Sequence, residues 1–454
     1  MADEFAGRTV LVYGVALAGE SAARALLDRG ARVLLADRRT PDGLTSLEAA
    51  GARFLGDVES LPPGADLVWV TPGVPPRHPL PVAAQAAGVE VIGEVELAWR
   101  LRGDSAAPWL AVTGTNGKTT TVRMLEAILR AAGLRTAAVG NVGTSIIDAV
   151  TSGERHDVLA VELSSFQLHW SSTIEPAAGA LLNVAPDHLD WHASMDAYTS
   201  AKTRIWHSPV AIGNVDDELV ARLLAAAAPA SRRVGVTLDT PHPDELGVTG
   251  GVLVDRAFGD EALIPAGEIH PPGAHNVANA LVAAALARAH GVDAQAVRAG
   301  LAAFAPDPHR NQVIAECAGI RYVDDSKATN PHAALASLRA YEHVVWIAGG
   351  QLKDAPVDAL VAAVAPRLRA VVLLGADRAQ IAAALARHAP KIPVIDVART
   401  DDKAMTEVVS AAAGLAHTGD TVLLAPAAAS YDMFSGYAAR GAAFAAAIDA
   451  LAAT

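Results

Sequence analysis

Residues 109–120 read Trp-Leu-Ala-Val-Thr-Gly-Thr-Asn-Gly-Lys-Thr-Thr. Gly114 and Gly117 let the backbone turn tightly and bring its N–H groups close to a ligand. Lys118 adds a compact positive charge, and the Thr119 hydroxyl can reach a divalent cation. Together these residues make a cradle for a nucleoside triphosphate. Loop amides over Gly114, Thr115, Asn116 and Gly117, with the helix N-terminus at Thr120, hold phosphate oxygens; Lys118 balances the terminal phosphates, and Thr119 reaches Mg²⁺. Only two residues separate the glycines, where the general phosphate loop has four, so the motif is a variant. The chemistry requires a buried strand at 110–113 and a helix over 120–132 stopped by Gly133, and the residue types supply both.

Other chemically able residues fall at strand ends, where a parallel sheet meets its ligands. Glu162 closes the apolar run 157–161, and a carboxylate at a strand tip beside a phosphate loop is placed to hold Mg²⁺, directly or through water. The alternative is a glutamate at a helix N-terminus, favoured by the dipole. His188 and His192 have the spacing of two zinc ligands on a helix, but no third ligand follows in a known arrangement and their neighbours are carboxylates. A Mg²⁺ or phosphate site using His188 is the better match. Lys202 belongs to a helix over 195–206 and is expected on its polar face. Only six of the 36 basic residues are lysine (118, 202, 327, 353, 391 and 403), so arginine carries the ordinary surface charge and each lysine invites a specific role. Three more groups follow strands: Asp325-Ser-Lys327-Ala-Thr329-Asn330, Gly349-Gly-Gln-Leu-Lys353, and Ser430 to Tyr437.

The elements that must position these residues read as an α/β chain of three domains. Its 454 residues suit about three domains of roughly 150 residues. The expected divisions are 1–103, Rossmann-like; 104–306, a P-loop-type ATPase domain; and 307–454, a doubly wound Rossmann-like domain with a parallel sheet. The first opens with strand 9–13, a glycine-containing turn, a helix to Gly30, and strand 31–36 ending at Asp37, where a ribose hydroxyl is often read. Ala16 replaces the middle glycine of the dinucleotide fingerprint, which disfavours an ordinary NAD domain. Thr71-Pro-Gly73 follows strand 67–70 and is either a plain turn or a crevice wall. Residues 234–265 read as β-rich, with a two-residue hairpin at Gly250-Gly251.

Hydrophobic residues make up 52% and charged residues 19%, enough for a large core and against disorder. A net charge of −13 argues against nucleic acid as the main partner. One cysteine, Cys317, rules out an internal disulfide, and with no signal peptide evident at MADEFAGR it points to the cytoplasm. No apolar run has the length of a membrane span.

Taken together, the motifs resemble the Mur ligases, and among them the ligases that add D-glutamate. Gly-Thr-Asn-Gly-Lys-Thr-Thr, Glu-Leu-Ser-Ser-Phe-Gln-Leu, Asn-Val-x-x-Asp-His-Leu-Asp, His-Asn-x-x-Asn-Ala, Pro-His-Arg and Asp-Ser-Lys-Ala-Thr-Asn occur in that family's order along the whole chain. The resemblance implies an ATP-driven amide synthesis on UDP-N-acetylmuramoyl-L-alanine through an acyl phosphate, with two Mg²⁺ ions. By matching motifs it implies that Lys118 and Thr119 handle the γ-phosphate and one Mg²⁺ shared with Glu162. His188 is matched to a second Mg²⁺, together with Lys202 as a carbamate. Asn276, Asn279, Arg310, Asp325 and Lys327 are matched to the rest of ATP, and Thr329, Lys353, Ser430 and Tyr437 to D-glutamate. Asp37, Arg39, Thr71, Gly73 and Asn141 are matched to the UDP-muramoyl side. Lys118, His188, Lys202 and Lys327 are the implied catalytic set, in a monomer. Departures are Ala16, Arg38 in place of a smaller polar residue, Tyr437 in place of phenylalanine, and no cysteine within 425–430. A sister ligase for another amino acid, a folylpolyglutamate-type ligase, a nucleotide-gated switch and a nicotinamide oxidoreductase are the alternatives.

Overall fold

The computed structural model describes residues 4–452 apart from 104–105, 229, 354 and 402; the expected linker at 103–108 therefore lies partly outside the described residues. The chain forms two compact units: residues 1–266 with 278–304, and residues 267–277 with 305–454.

The first unit holds two sheets. One has five parallel strands in the order Arg53–Phe54, Arg32–Ala36, Thr9–Tyr13, Leu67–Val70 and Glu90–Ile92. Strand order reverses between Thr9–Tyr13 and Leu67–Val70, so the chain leaves these neighbours in opposite directions and opens a crevice at Gly14 and Thr71. Both strands are apolar runs because the sheet is covered on both faces; Val10, Val12, Leu67 and Trp69 are fully buried.

The second sheet has nine strands. Trp109–Thr113, all buried, lies between Leu159–Glu162 and Ala178–Leu181, both parallel to it. Its far side runs through Val210–Asn214 and Arg232–Val236 to Glu245–Thr249, still parallel, and only Val252–Asp255 and Glu261–Pro265 are antiparallel. Thr249 pairs with Val252 across Gly250-Gly251, the expected hairpin. The helix after the phosphate loop, Lys118–Ala131, begins two residues earlier than the hydrophobic period required. Its packing partner is Ala294–Ala302, where Gly300 sits against backbone: an added Cβ would lie 2.6 Å from Ile128 N and 2.8 Å from Ala127 O.

The second unit carries a six-stranded sheet in the order Gln312–Cys317, Ile320–Asp324, Thr421–Leu424, Val344–Gly349, Leu368–Leu374 and Val394–Asp396. The parallel expectation holds for the last five strands. It fails at the edge, where Gln312–Cys317 pairs antiparallel with Ile320–Asp324. That strand was illegible because it is half-exposed and irregular, with a register shift between Val313 and Ala315. The helix Ala274–Ala289 has its first turn in the second unit and the rest in the first.

Gly300→Ala should cost about 1–3 kcal/mol, because backbone rather than a movable side chain meets the new methyl. Thermal unfolding of wild type and variant checks this; equal melting temperatures would mean the two helices can separate freely.

Candidate active site

The phosphate loop is held from a neighbouring strand end. Asn183 Oδ1 accepts from the backbone N–H of Thr115 (3.1 Å) and Asn116 (2.9 Å), while its Nδ2 donates to Asn116 O (3.1 Å). Thr115 Oγ1 accepts from Ala185 N at 3.0 Å and lies 2.9 Å from the Tyr198 hydroxyl. Gly117 has φ +86°, and a Cβ there would meet Asn279 Oδ1 at 2.5 Å, so this position requires glycine twice over. Thr119 and Thr120 open the helix, half-buried.

Two lysine amines converge on the loop. Lys118 Nζ donates to the carbonyls of Gly114 (3.0 Å) and Thr115 (2.9 Å), and Lys202 Nζ donates to the same Gly114 carbonyl at 2.7 Å. The expectation that Lys202 lies on a polar helix face is wrong: it is 1% exposed, near the C-terminal end of the helix Met195–Thr203, with its amine 4.6 Å from the centre of the Tyr198 ring. The sequence misled because an isolated lysine among small residues looks solvated. Burial, and then the charge of Lys118, hold the Lys202 amine well below its ordinary pKa. A buried ammonium facing one carbonyl would leave several kcal/mol of desolvation uncompensated, which is the physical origin of that lowering.

Glu162 ends its strand at 1% exposure. Its Oε1 accepts from Asn141 Nδ2 at 2.8 Å, whereas Oε2 is buried with no hydrogen-bond partner. An orphaned carboxylate oxygen is the feature a cation would satisfy. No three His, Cys, Asp or Glu side chains converge into a metal-holding group among the described residues. One carboxylate with a threonine hydroxyl suits Mg²⁺, which keeps waters and takes substrate phosphate oxygens.

His188 adopts a left-handed backbone (φ 53°) before the single turn Leu189–His192; its ring packs edge-on against Phe166, 4.8 Å between centres. Its side chain is 47% exposed. His192 does not share its role: it is buried against Ser165 Oγ at 2.9 Å, and burial pushes its pKa down to about 4.

In the five-stranded sheet the crevice is a cleft of about 360 Å³ lined by Asp37, Arg38, Arg39, Thr71 and Gly73, among others. Asp37 ties it together, accepting from Val15 N (2.7 Å) and Arg39 N (3.0 Å). Of the residues matched to one substrate, Asn141 is not in this lining; it stands on Glu162 instead.

In the second unit, three loops leave the neighbouring strands Ile320–Asp324, Thr421–Leu424 and Val344–Gly349 and carry Thr329, Ser430 and Lys353. Lys327 Nζ lies 4.0 Å from the centre of the Tyr437 ring. These loops are fastened by a residue that sequence reasoning missed. Arg440, 1% exposed, donates to Ser326 Oγ (3.0 Å), Ser326 O (2.9 Å), Ala428 O (3.1 Å) and Gly349 O (3.3 Å). Its only sequence signal was an arginine inside an apolar helix. His309, present in the sequence reading only as part of Pro-His-Arg, has Nδ1 2.6 Å from Asp324 Oδ2, and its carbonyl accepts from Lys327 N. Arg310 is half-buried beside them, and Asn276 is buried in the first turn of its helix. Asn279, one turn later, belongs to the first unit with Gly117.

Burial holds the Asp325 carboxyl up at about 6, against the Asn311 backbone amide (3.1 Å) and the charge of Arg310. A carboxyl raised in the folded state favours the fold while protonated, so its contribution is full below the unfolded value and is lost as pH rises through 6. Asp325→Asn should therefore flatten melting temperature against pH between about 4 and 6. An unchanged slope in the variant would assign that pH dependence to other groups.

The chain matches three domain families in succession: the Mur ligase MurD-like N-terminal domain over residues 8–93, the Mur ligase middle domain over 112–287, and the Mur ligase glutamate ligase domain over 309–428. It is 55% identical to a UDP-N-acetylmuramoylalanine–D-glutamate ligase of Streptomyces avermitilis, covering 98% of both chains. It is also 55% identical to one of Thermobifida fusca, covering 99% of this chain and 100% of that one. Among solved structures it shares the fold of a pseudomurein peptide ligase type C from Methanothermus fervidus (TM-score 0.60, 18% identity, 98% and 100% covered). It also shares that of a UDP-N-acetylmuramate–alanine ligase from Thermotoga maritima (TM-score 0.59, 18% identity, 98% and 99% covered). With its phosphate loop, buried lysine and strand-end loops in that order and on that fold, the chain belongs to the Mur ligase family.

Proposed function

We propose that the chain joins D-glutamate to UDP-N-acetylmuramoyl-L-alanine, using ATP and releasing ADP and phosphate in cytoplasmic peptidoglycan precursor synthesis. The observation that carries this is the pairing of Lys118 and buried Lys202 on one phosphate-loop carbonyl, in a chain so close to relatives named for that reaction.

A carboxylate and an amine at neutral pH form an unreactive salt, so the carboxylate needs a leaving group. The alanyl carboxylate attacks the γ-phosphorus, giving an acyl phosphate and ADP. The D-glutamate amine, having lost a proton, attacks the acyl carbon, and the tetrahedral intermediate collapses with loss of phosphate. Such a reaction is accelerated chiefly by positioning and charge neutralisation. The loop from Gly114 to Thr120 wraps the phosphates, with the amides from Gly117 to Thr120 donating to them because Asn183 takes those of Thr115 and Asn116, and Lys118 exchanges its two loop carbonyls for the γ-phosphate. Asn276, Asn279, Arg310, Asp325 and Lys327 serve the remainder of ATP. Thr119 and Glu162 would hold one Mg²⁺, and His188 with a Lys202 carbamate a second; bound there, the ions neutralise phosphate charge. A neutral amine is the form that adds CO₂, which fits the environment of Lys202. Asp37, Arg39, Thr71, Gly73 and Asn141 receive the UDP-muramoyl substrate. Thr329, Lys353, Ser430 and Tyr437, with Arg440 fixing their loops, receive the two carboxylates of D-glutamate.

The test is phosphate release from Mg-ATP with UDP-N-acetylmuramoyl-L-alanine and one amino acid at a time. Release is expected with D-glutamate and not with L-glutamate or L-alanine; release with another amino acid instead would move the chain to a sister ligase, and none at all would leave a nucleotide switch. Lys202→Ala should lower kcat by at least about 100-fold. Acetate should restore part of it by standing in for the carbamate. A fully active variant without acetate would remove Lys202 from the mechanism.

A further inference from the structure

The loop at 71–76 reads Thr-Pro-Gly-Val-Pro-Pro, so three of its six residues have no N–H. Thr71 N donates to Tyr13 O and Val74 N to Thr71 O, each at 3.0 Å, which closes a tight turn. Thr71, Gly73, Val74 and Pro75 line the cleft of the five-stranded sheet. A loop so poor in donors cannot join a ladder, and whatever holds it must donate to its carbonyls.

Two indoles from outside that sheet do so. Trp191 Nε1 donates to Gly73 O and Trp170 Nε1 to Val74 O, both at 3.2 Å. The link is also made in the other direction, with Gly93 N donating to Trp170 O (3.0 Å) and Arg77 Nη1 to Trp191 O (3.3 Å). Burial alone does not produce such bonds, since Trp69 and Trp109 are buried with no partner for Nε1.

Behind the indoles, rings continue to the phosphate loop. Trp191 packs on Phe166 and His192, both 4.5 Å between centres, and His192 on Tyr198 at 5.2 Å. The Tyr198 hydroxyl is the one that meets Thr115 Oγ1. Trp170 joins the group through His169, which stands edge-on to it at 4.7 Å and to Trp191 at 5.1 Å. Rings packed at the density of an organic crystal do not yield continuously, so displacement at one end is felt at the other. The cleft wall and the glycine loop at 114–117 are thereby held a fixed distance apart.

Resting on the proposed binding of UDP-N-acetylmuramoyl-L-alanine in this cleft, we propose that Trp170 and Trp191 are positioning residues that set the span between the cleft wall and the phosphate loop. The wall holds the UDP end of the substrate, and the alanyl carboxylate must arrive at the γ-phosphate. An error in the span penalises only a ligand that reaches from one to the other. UDP alone meets the wall and ATP alone meets the loop, so neither senses the distance.

The experiment compares wild type with Trp170→Phe, Trp191→Phe and the double variant, which keep a ring in the stack and delete the N–H. In the double variant kcat/KM for UDP-N-acetylmuramoyl-L-alanine should fall about tenfold, chiefly through kcat. The Kd of UDP by calorimetry and the KM of ATP should change by less than about twofold. Where a phenylalanine variant does not fold, benzothienylalanine at the same position keeps the bicyclic shape and replaces only the N–H, by sulfur. Unchanged kcat/KM would overturn the proposal. An equal loss of affinity for UDP would overturn it too, by reducing the two bonds to a prop for the wall. Wild type that binds UDP but releases no phosphate with this substrate and D-glutamate would overturn the proposed reaction, and the positioning role with it.

Discussion

The glycine loop at 114–117 and the two lysines beside it are organised around one carbonyl. Gly114 O accepts from both Lys118 and Lys202, at 3.0 and 2.7 Å. Two ammonium groups so close, one of them buried, repel each other strongly in a medium of low polarity. Burial, and then the charge of Lys118, hold the pKa of the buried Lys202 amine well below its ordinary value. Much of the surroundings exists to keep that arrangement. Tyr198 covers Lys202 and reaches Thr115, Asn183 holds the loop amides, and Thr113 Oγ1 ties the strand end to Leu163 O at 2.7 Å.

The same economy recurs in the second unit with the sign of the problem unchanged. Arg440 is buried, its pKa lowered to about 10, and its guanidinium is matched to oxygens of three separate loops. A planar fork can serve several carbonyls at fixed angles, which a lysine could not. The loops that carry Lys327, Lys353 and Ser430 are therefore positioned from beneath by a residue that touches none of their tips.

The strands and the phosphate loop were legible because their signal is local. Thr9–Tyr13, Leu67–Val70 and Thr421–Leu424 are apolar runs bounded by turn residues, and the structure returns each with the expected limits. Asn183 and His309 fell inside quoted motifs without a role of their own, and Tyr198 and Arg440 were not picked out. Their importance lies in hydrogen bonds to residues 15 or more positions away, which periodicity does not register. Lys202 was picked out for its rarity, yet its burial was missed, since one charged residue among Ser200, Ala201 and Thr203 carries no mark of which way it faces. The half-exposed edge strand Gln312–Cys317 escaped for the opposite reason, lacking both a continuous apolar run and a clean alternation.

The Asn183 amide, oxygen toward two N–H groups and nitrogen toward a carbonyl, also has a chemical lifetime. Asparagine is among the thermolabile residues. Hydrolysis of that amide, with water entering and ammonia leaving, would exchange Nδ2 for an oxygen facing Asn116 O, turning an attraction into a repulsion and adding a negative charge beside the glycine loop. The side chain would keep its size, and the fold around it its packing. Ageing of the protein could thus silence nucleotide binding through the change of a single atom, with no unfolding to announce it.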